Sequence, residues 1–276
     1  MDGYGSPQRG FGRRQVGKLK RMAAWKRYAL GAWLPVLLMA AWQWMATHDV
    51  VDPLFFPPPS ALLAAGGKML ASGELAGHVR ATLTRALGGF LAGGVTGLAF
   101  GLVMGASSRL RASTEPMLSA LFATPKLSLF PMLLLLLGVG DAAKIALIAL
   151  STFILVAFHA LDAVLNINTA YVEMAANYGA GHAALLRYVY LPACLPQVFT
   201  GLRLALSRAV VSAISVELIS AQDGLGSLIW LSWQTLATDR LYVAVTATAT
   251  LGMLLHMLVR RLESRLLPWK DRNARS

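Results

Sequence analysis

Ala86-Leu-Gly-Gly-Phe-Leu-Ala-Gly-Gly-Val-Thr-Gly-Leu-Ala-Phe-Gly-Leu-Val-Met-Gly105 runs for twenty residues without a charge. A helix of about 20 apolar residues crosses the hydrocarbon core of a bilayer. In lipid the spanning backbone must satisfy its own hydrogen bonds, which a helix does residue by residue. Gly88, Gly89, Gly93, Gly94, Gly97, Gly101 and Gly105 recur along it at spacings that include three and four. Small residues so spaced let two helix backbones approach closely. Bundle packing is therefore the main reading of these glycines, with a gating hinge at the glycine pairs as the alternative.

The rest of the chain agrees. Of its 276 residues, 56% are hydrophobic and 14% are charged, and the mean hydropathy is +0.57. That is too apolar for an ordinary soluble domain. Six spans are expected, near 29–47, 84–106, 117–138, 143–163, 198–220 and 240–260. The fold class is an all-α integral membrane protein: a basic tail over 1–27, a transmembrane domain over 28–263 and a second basic tail over 264–276. Asp52-Pro-Leu-Phe-Phe-Pro-Pro-Pro-Ser60 breaks any helix. Ser60 is placed to cap a helix over 60–72 that Gly73 ends, and a helical run near 75–83 leads into the second span. The third span opens at Pro116, and Thr124-Pro125-Lys126 with Pro131 marks a broken helix.

The formal net charge is +12, and its distribution sets the topology. Basic residues crowd before the first span and after the last. Arg109, Arg111 and Arg187 fall in the loops on the same side. The other side carries Lys68, Arg80, Lys144 and Arg240, with Arg85 at its edge, beside Asp49, Asp52, Glu74, Asp141, Asp223 and Asp239. Positive charge accumulates on the cytoplasmic side, so both termini are expected there, with the N-terminal tail on anionic lipid head groups. A nucleic-acid footprint needs a folded basic domain, so no nucleic acid is expected. The first apolar run is long enough to stay as an anchor rather than a cleaved signal. The single Cys194 reads as a packing residue. The five histidines lack ligand spacing, so no metal site is expected.

Between the fourth and fifth spans stands Glu173-Met-Ala-Ala-Asn-Tyr-Gly179, followed by Val189-Tyr-Leu-Pro192. Small residues here, including Ala175, Ala176 and Gly179, predict a smooth short helix suited to a partner's groove. Glu173 is expected near the helix start, where a carboxylate suits the positive end of the dipole. Gly179 permits a sharp turn between two short helices, and Leu191-Pro192 is expected to end the second. An ordinary interfacial loop is the alternative on these residues alone. The pattern resembles the EAA loop of bacterial ABC-importer permeases: Glu173, Ala175, Gly179, Val189, Leu191 and Pro192 match its spacing, and Met174 replaces the first alanine. The resemblance implies that Glu173, Ala175, Ala176, Gly179, Val189, Leu191 and Pro192 couple the chain to an ATP-binding subunit.

The likeness extends over about 50–270. Phe56-Pro-Pro-Pro-Ser60, Thr124-Pro-Lys126 with Pro131, Gly201-Leu-Arg-Leu-Ala-Leu206, Glu217-Leu218, Gly224-Leu-Gly226 and Leu262-Glu-Ser-Arg-Leu-Leu-Pro-Trp269 look like segments of the permeases for aliphatic sulfonates, taurine and nitrate. Relatives of that group handle vitamin precursors and riboflavin. Leu134-Leu-Leu-Leu-Gly138 departs from the aromatic-Gly ending common there and leaves the solute open. The resemblance implies a permease in the bacterial inner membrane, a homodimer served by an outer solute-binding protein. The nearest thing to a phosphate loop, Gly66-Gly-Lys68-Met69, lacks the necessary spacing and hydroxyl. No enzyme activity and no cofactor are expected in this chain; ATP and Mg belong to the partner ATPase. An ion-coupled carrier is the competing class, but it would show inverted repeats, and none is visible.

Four charged residues are expected at membrane depth, where an unpaired charge costs at least about 2.5–3.5 kcal/mol. Arg203 snorkels or ties the loop to the bundle. Lys126, Arg208 and Glu217 are the candidates for the translocation path; Arg208 could instead pair with Glu217, and Glu217 could shape an outer gate.

Overall fold

The structure, a computed structural model, describes residues 33–220 and 222–266. The expected basic tail over 1–27, the start of the first span and residues 267–276 of the second tail lie outside the described residues. The chain divides into two units, residues 1–64 and 65–276.

In the first unit, a helix (α1) covers 33–47. After it, the Asp52 carboxylate accepts from the Leu54 amide at 2.8 Å, holding a turn in the proline-rich segment. Helix α2, Pro59–Ala71, begins here and continues into the second unit. Its start is set by proline, whose missing N–H has no intrahelical partner in a first turn anyway. Ser60 does not cap it: its amide donates to Gln43 Oε1 (3.0 Å) and its hydroxyl accepts from Gln43 Nε2 (3.1 Å).

The second unit continues with α3 (Glu74–Ala106), α4 (Ser108–Ala123), a 3₁₀ turn (Lys126–Leu129), α5 (Phe130–Leu137) and α6 (Asp141–Leu165). Then come α7 (Thr169–Asn177), α8 (His182–Leu185), a π turn (Leu186–Tyr190), α9 (Leu191–Ser220), α10 (Leu225–Gln234) and α11 (Thr238–Leu266). Among the described residues there is no strand. Helices α3, α6 and α11 are long and apolar enough to cross a membrane singly. The α4–α5 pair, bent by 93°, and the α9–α10 pair, bent by 43°, each pass together, giving up to five candidate spans among the described residues.

The core is built on α3, α6 and α9. Gly89 lies against Ile148, Gly97 against Phe153 and Gly105 against Val164, so α3 and α6 run parallel. A Cβ at Gly97 would stand 2.5 Å from the Phe153 carbonyl oxygen. At Gly93 and Gly101 the obstacles are the carbonyls of Ala149 and Ala157. The glycine stripe is thus a backbone-on-backbone seam. Helix α9 runs antiparallel to both, with Gly201 against His159 at one end and Glu217 reaching Arg85 at the other. Phe130, Ala143, Leu147 and Val216 fix α5 against α6 and α9. Cys194 is buried with Ala163 and Val198, as a packing residue should be.

The helical run expected at 75–83 leads into the second span without a break, as the start of α3, 33 residues long. Two local expectations need correction. Pro116 lies inside α4 rather than opening it, and Arg109 and Arg111 ride on that helix. Ser107 forms the whole α3–α4 junction: its side chain accepts from the Leu110 amide, which starts a new helix at once. The break at Thr124-Pro125 is where the sequence puts it, because proline disfavours helical geometry in the residue before it.

Candidate functional sites at the two ends and the middle of the bundle

At one end, between α6 and α9, Asn168 caps α7 by accepting from the Ala170 amide at 2.9 Å. That cap puts Glu173 in the middle of α7, not near its start, so the helix dipole does little for its carboxylate. Ala170, Glu173, Met174 and Asn177, spaced three and four apart, share one helix face with Tyr178 beside it. The side chains of Glu173, Met174 and Tyr178 are exposed, and Ala176 with them. The surface is therefore not the smooth alanine face expected: Met174 and two tyrosines, Tyr171 and Tyr178, stand out from it. Gly179 has φ +79° and sits between α7 and α8, a left-handed conformation that costs other residues a Cβ clash. Ala175 and Val189 are half-buried. Leu191 and Pro192 do not end a helix. They stand at the head of α9, which follows the π turn without a break.

The opposite end holds an ion cluster around the buried Arg85 and Glu217, residues that the sequence puts on one side of the membrane (Arg85, Asp141, Asp223) and within the fifth span (Glu217). Arg85, 2% exposed, donates through Nε to Asp141 Oδ1 (2.8 Å) and through Nη1 to Glu217 Oε1 and the Asp223 carbonyl (both 2.9 Å). Its Nη2 meets the Asp223 carboxylate. Lys144 reaches Asp141 at 3.3 Å. Glu217 Oε2 accepts from the Thr82 hydroxyl (2.8 Å) and the Gly226 amide (3.0 Å). Thr82 Oγ1 in turn accepts from the Leu225 amide at 2.8 Å. One guanidinium thereby joins α3, the start of α6, the end of α9 and the turn into α10. Gly224 has φ +103°, and both Gly224 and Gly226 leave space that the Glu217 side chain fills. The cation Arg85 at the edge of the long uncharged run of α3 and the Gly224-Leu-Gly226 that follows Glu217 were the available signals.

Midway between lie Lys126 and Arg208. Lys126 is half-buried in the 3₁₀ turn. Its ammonium donates to the Phe122 carbonyl and lies 4.8 Å from the centre of the Phe122 ring. Arg208 is exposed on α9 and close enough to act electrostatically on Lys126. The structure does not bring Glu217 to either of them. Arg203 pairs with Glu263 of α11 at 3.2 Å, so it ties α9 to α11 rather than to the loop. Gly66-Gly-Lys68 lies inside α2 and forms no phosphate loop.

Residues 93–268 match the family model described as the binding-protein-dependent transport system inner membrane component. The taurine transport system permease protein of Escherichia coli is 33% identical over 238 residues, covering 84% of this chain and 86% of the relative. A putative aliphatic sulfonates transport permease protein of Bacillus subtilis is 31% identical, covering 89% and 90%. The riboflavin transport system permease protein of Chloroflexus aurantiacus is 33% identical, covering 88% and 91%. The fold is that of the methionine ABC transporter MetNI in an inward-facing conformation, with a TM-score of 0.57 at 20% identity over 69% of this chain and 93% of that one. An amino acid ABC transporter gives 0.58 at 17% identity over 72% and 95%. The chain belongs to the family of binding-protein-dependent transport system inner membrane components and is the permease component of an ABC importer.

Proposed function

We propose that this permease imports a small organic sulfonate such as taurine, and that a partner ATPase drives it through α7. The exposed face of α7, with Glu173, Met174 and Tyr178 beside the Gly179 turn, carries the coupling reading. It is a short capped helix with an exposed face, and it offers a carboxylate, a thioether and a phenol to a groove. Ala175, Val189, Leu191 and Pro192 set the course of the chain behind that face. ATP and Mg act on the ATPase. Two copies of this chain form the pathway, their exposed apolar side chains, among them Leu135, Val139 and Val211, facing lipid or the second copy. A solute-binding protein delivers the solute on the side opposite α7, and both termini are cytoplasmic, as the charge distribution favours. ATP binding closes the ATPases and shifts the bundle between two states that bind them differently.

The sulfonate reading rests on the relatives named for taurine and aliphatic sulfonates. The riboflavin relative, at the same 33% identity as the taurine one, favours a second reading, import of a vitamin-like solute. Two measurements test the whole. Purification of the tagged chain in mild detergent should recover the ATPase, and the Glu173→Lys, Gly179→Asp double variant should lose it. Cells carrying the complete importer should accumulate labelled taurine or an alkanesulfonate. Accumulation of riboflavin instead would move the assignment to the second reading.

A further inference from the structure

Helix α3 turns one stripe toward the bend between α9 and α10. His78, Thr82 and Arg85 stand four and three residues apart, on one face of the helix. Each holds a backbone group of the bend or of the first residue of α10. His78 Nδ1 takes the Gly224 amide at 3.1 Å, and Thr82 Oγ1 takes the Leu225 amide at 2.8 Å. Arg85 Nη1 donates to the Asp223 carbonyl at 2.9 Å. The Asp223 carboxylate adds a fourth tie, on Arg85 Nη2. The α9–α10 pair is bent by 43° here, so the bend is held from the side, by a neighbouring helix.

The ties are unequal. The Glu217 side chain is fully buried, and parting a buried pair strands a charge. The Asp223 side chain is 61% exposed, so water takes over its carboxylate on release, and exposed pairs contribute little. Asp141 is nearly as exposed, but it begins α6, which the glycine seam fixes along α3. Asp223 lies instead in a turn that leads into the ten residues of α10. When that turn withdraws, Arg85 keeps Glu217 and Asp141, and the Thr82 hydroxyl keeps Glu217 Oε2. No buried cation loses its last counterion. Gly226 supplies the pivot: its amide donates to Glu217 Oε2 at 3.0 Å, and its missing side chain lets α10 sit against the Ile214 carbonyl.

We propose that His78, Thr82 and Arg85 form a releasable clasp on the α9–α10 bend, closed in this structure and opened during each transport cycle to let solute pass this end of the bundle. Asp223 is the positioning residue that sets how readily the clasp lets go, and Glu217 is the keeper that holds Arg85 and Thr82 meanwhile. The inference rests on the chain being an importer permease and not on which solute it carries.

Two readouts on the complete importer, reconstituted in vesicles, test it. In the first, His78→Cys and Asp223→Cys are combined and bridged by a short, reducible bis-thiosulfonate; the native Cys194 is buried and stays in place. Uptake of taurine or riboflavin, whichever the unbridged chain accumulates, should fall about tenfold or more on bridging and return on reduction, while each single-cysteine chain treated alike keeps its uptake. Full uptake by the bridged chain overturns the clasp. The second readout needs no solute. Leu225→Cys and Leu161→Cys place thiols at positions 0% and 2% exposed, and their labelling by a maleimide is timed with and without Asp223→Asn. Asp223→Asn should speed labelling at 225 about two- to fivefold, the scale of one exposed charge pair, and leave 161 unchanged. No acceleration at 225 overturns the clasp. Equal acceleration at both positions is a general loosening of the bundle and overturns it too.

Discussion

Arg85 and Arg208 are the same residue in similar settings, long apolar helices with few other charges, yet their surroundings are opposite. Arg85 is buried and all three of its guanidinium nitrogens are bonded, to side chains from three other segments. Arg208 is exposed and has no carboxylate beside it. A cation satisfied on every nitrogen cannot offer anything to a passing solute. One with no partner can, and its cost has to be met by something outside the chain. The contrast separates a charge that holds helix ends together from a charge that no carboxylate of the described residues meets.

The largest test of that contrast is Arg85→Met. It leaves Glu217, 1% exposed, without its cation, and removing one partner of a buried pair costs about 3–5 kcal/mol. The expected outcome is a large fall in the thermal stability of the detergent-solubilised chain, whereas Arg208→Met should leave stability near wild type. Comparable melting temperatures for the two variants would break the comparison.

Gly97→Leu is expected to be nearly as severe for a different reason. Its side chain must enter the space of the Phe153 backbone, so α3 and α6 have to separate, and overpacking of this kind costs about 1–3 kcal/mol or more. Membrane abundance of that variant, set beside Gly67→Leu where nothing lies within 4 Å, measures the seam directly.

Glu217→Gln keeps the shape and can still accept from Thr82 and the Gly226 amide, but it loses the charge facing Arg85. A drop of about 1–3 kcal/mol is expected, below that of Arg85→Met, read from the same melting curves. The smallest effect should come from Arg203→Met. The arginine is 28% exposed but Glu263 only 8%, so the loss should lie at the upper end of the about 0.2–1 kcal/mol that exposed pairs contribute.

Much of this architecture is legible in the chain. Twenty uncharged residues ending at Gly105, the Thr124-Pro125 break and the φ-positive turn at Gly179 follow from helix length, proline sterics and glycine freedom, all local properties. The α7 cap was missed because Asn168 lies outside the motif, and with it the true place of Glu173. Leu191-Pro192 does not end a helix as expected, because the backbone continues through the preceding π turn into α9, a long-range outcome that proline alone does not encode.

What the sequence alone determined is the membrane-embedded helical class, the family and the loop that presents Glu173, because these depend on hydropathy, spacing and local stereochemistry. Only the tertiary structure decided which charges pair. Asp141, Glu217 and Asp223 stand 56 to 138 positions along the chain from Arg85, and nothing local to Arg85 reports where a parallel α3–α6 seam and an antiparallel α9 will bring them. The same packing left Lys126 and Arg208 without a carboxylate, since a charge is paired or free according to what the neighbouring helices carry at its depth.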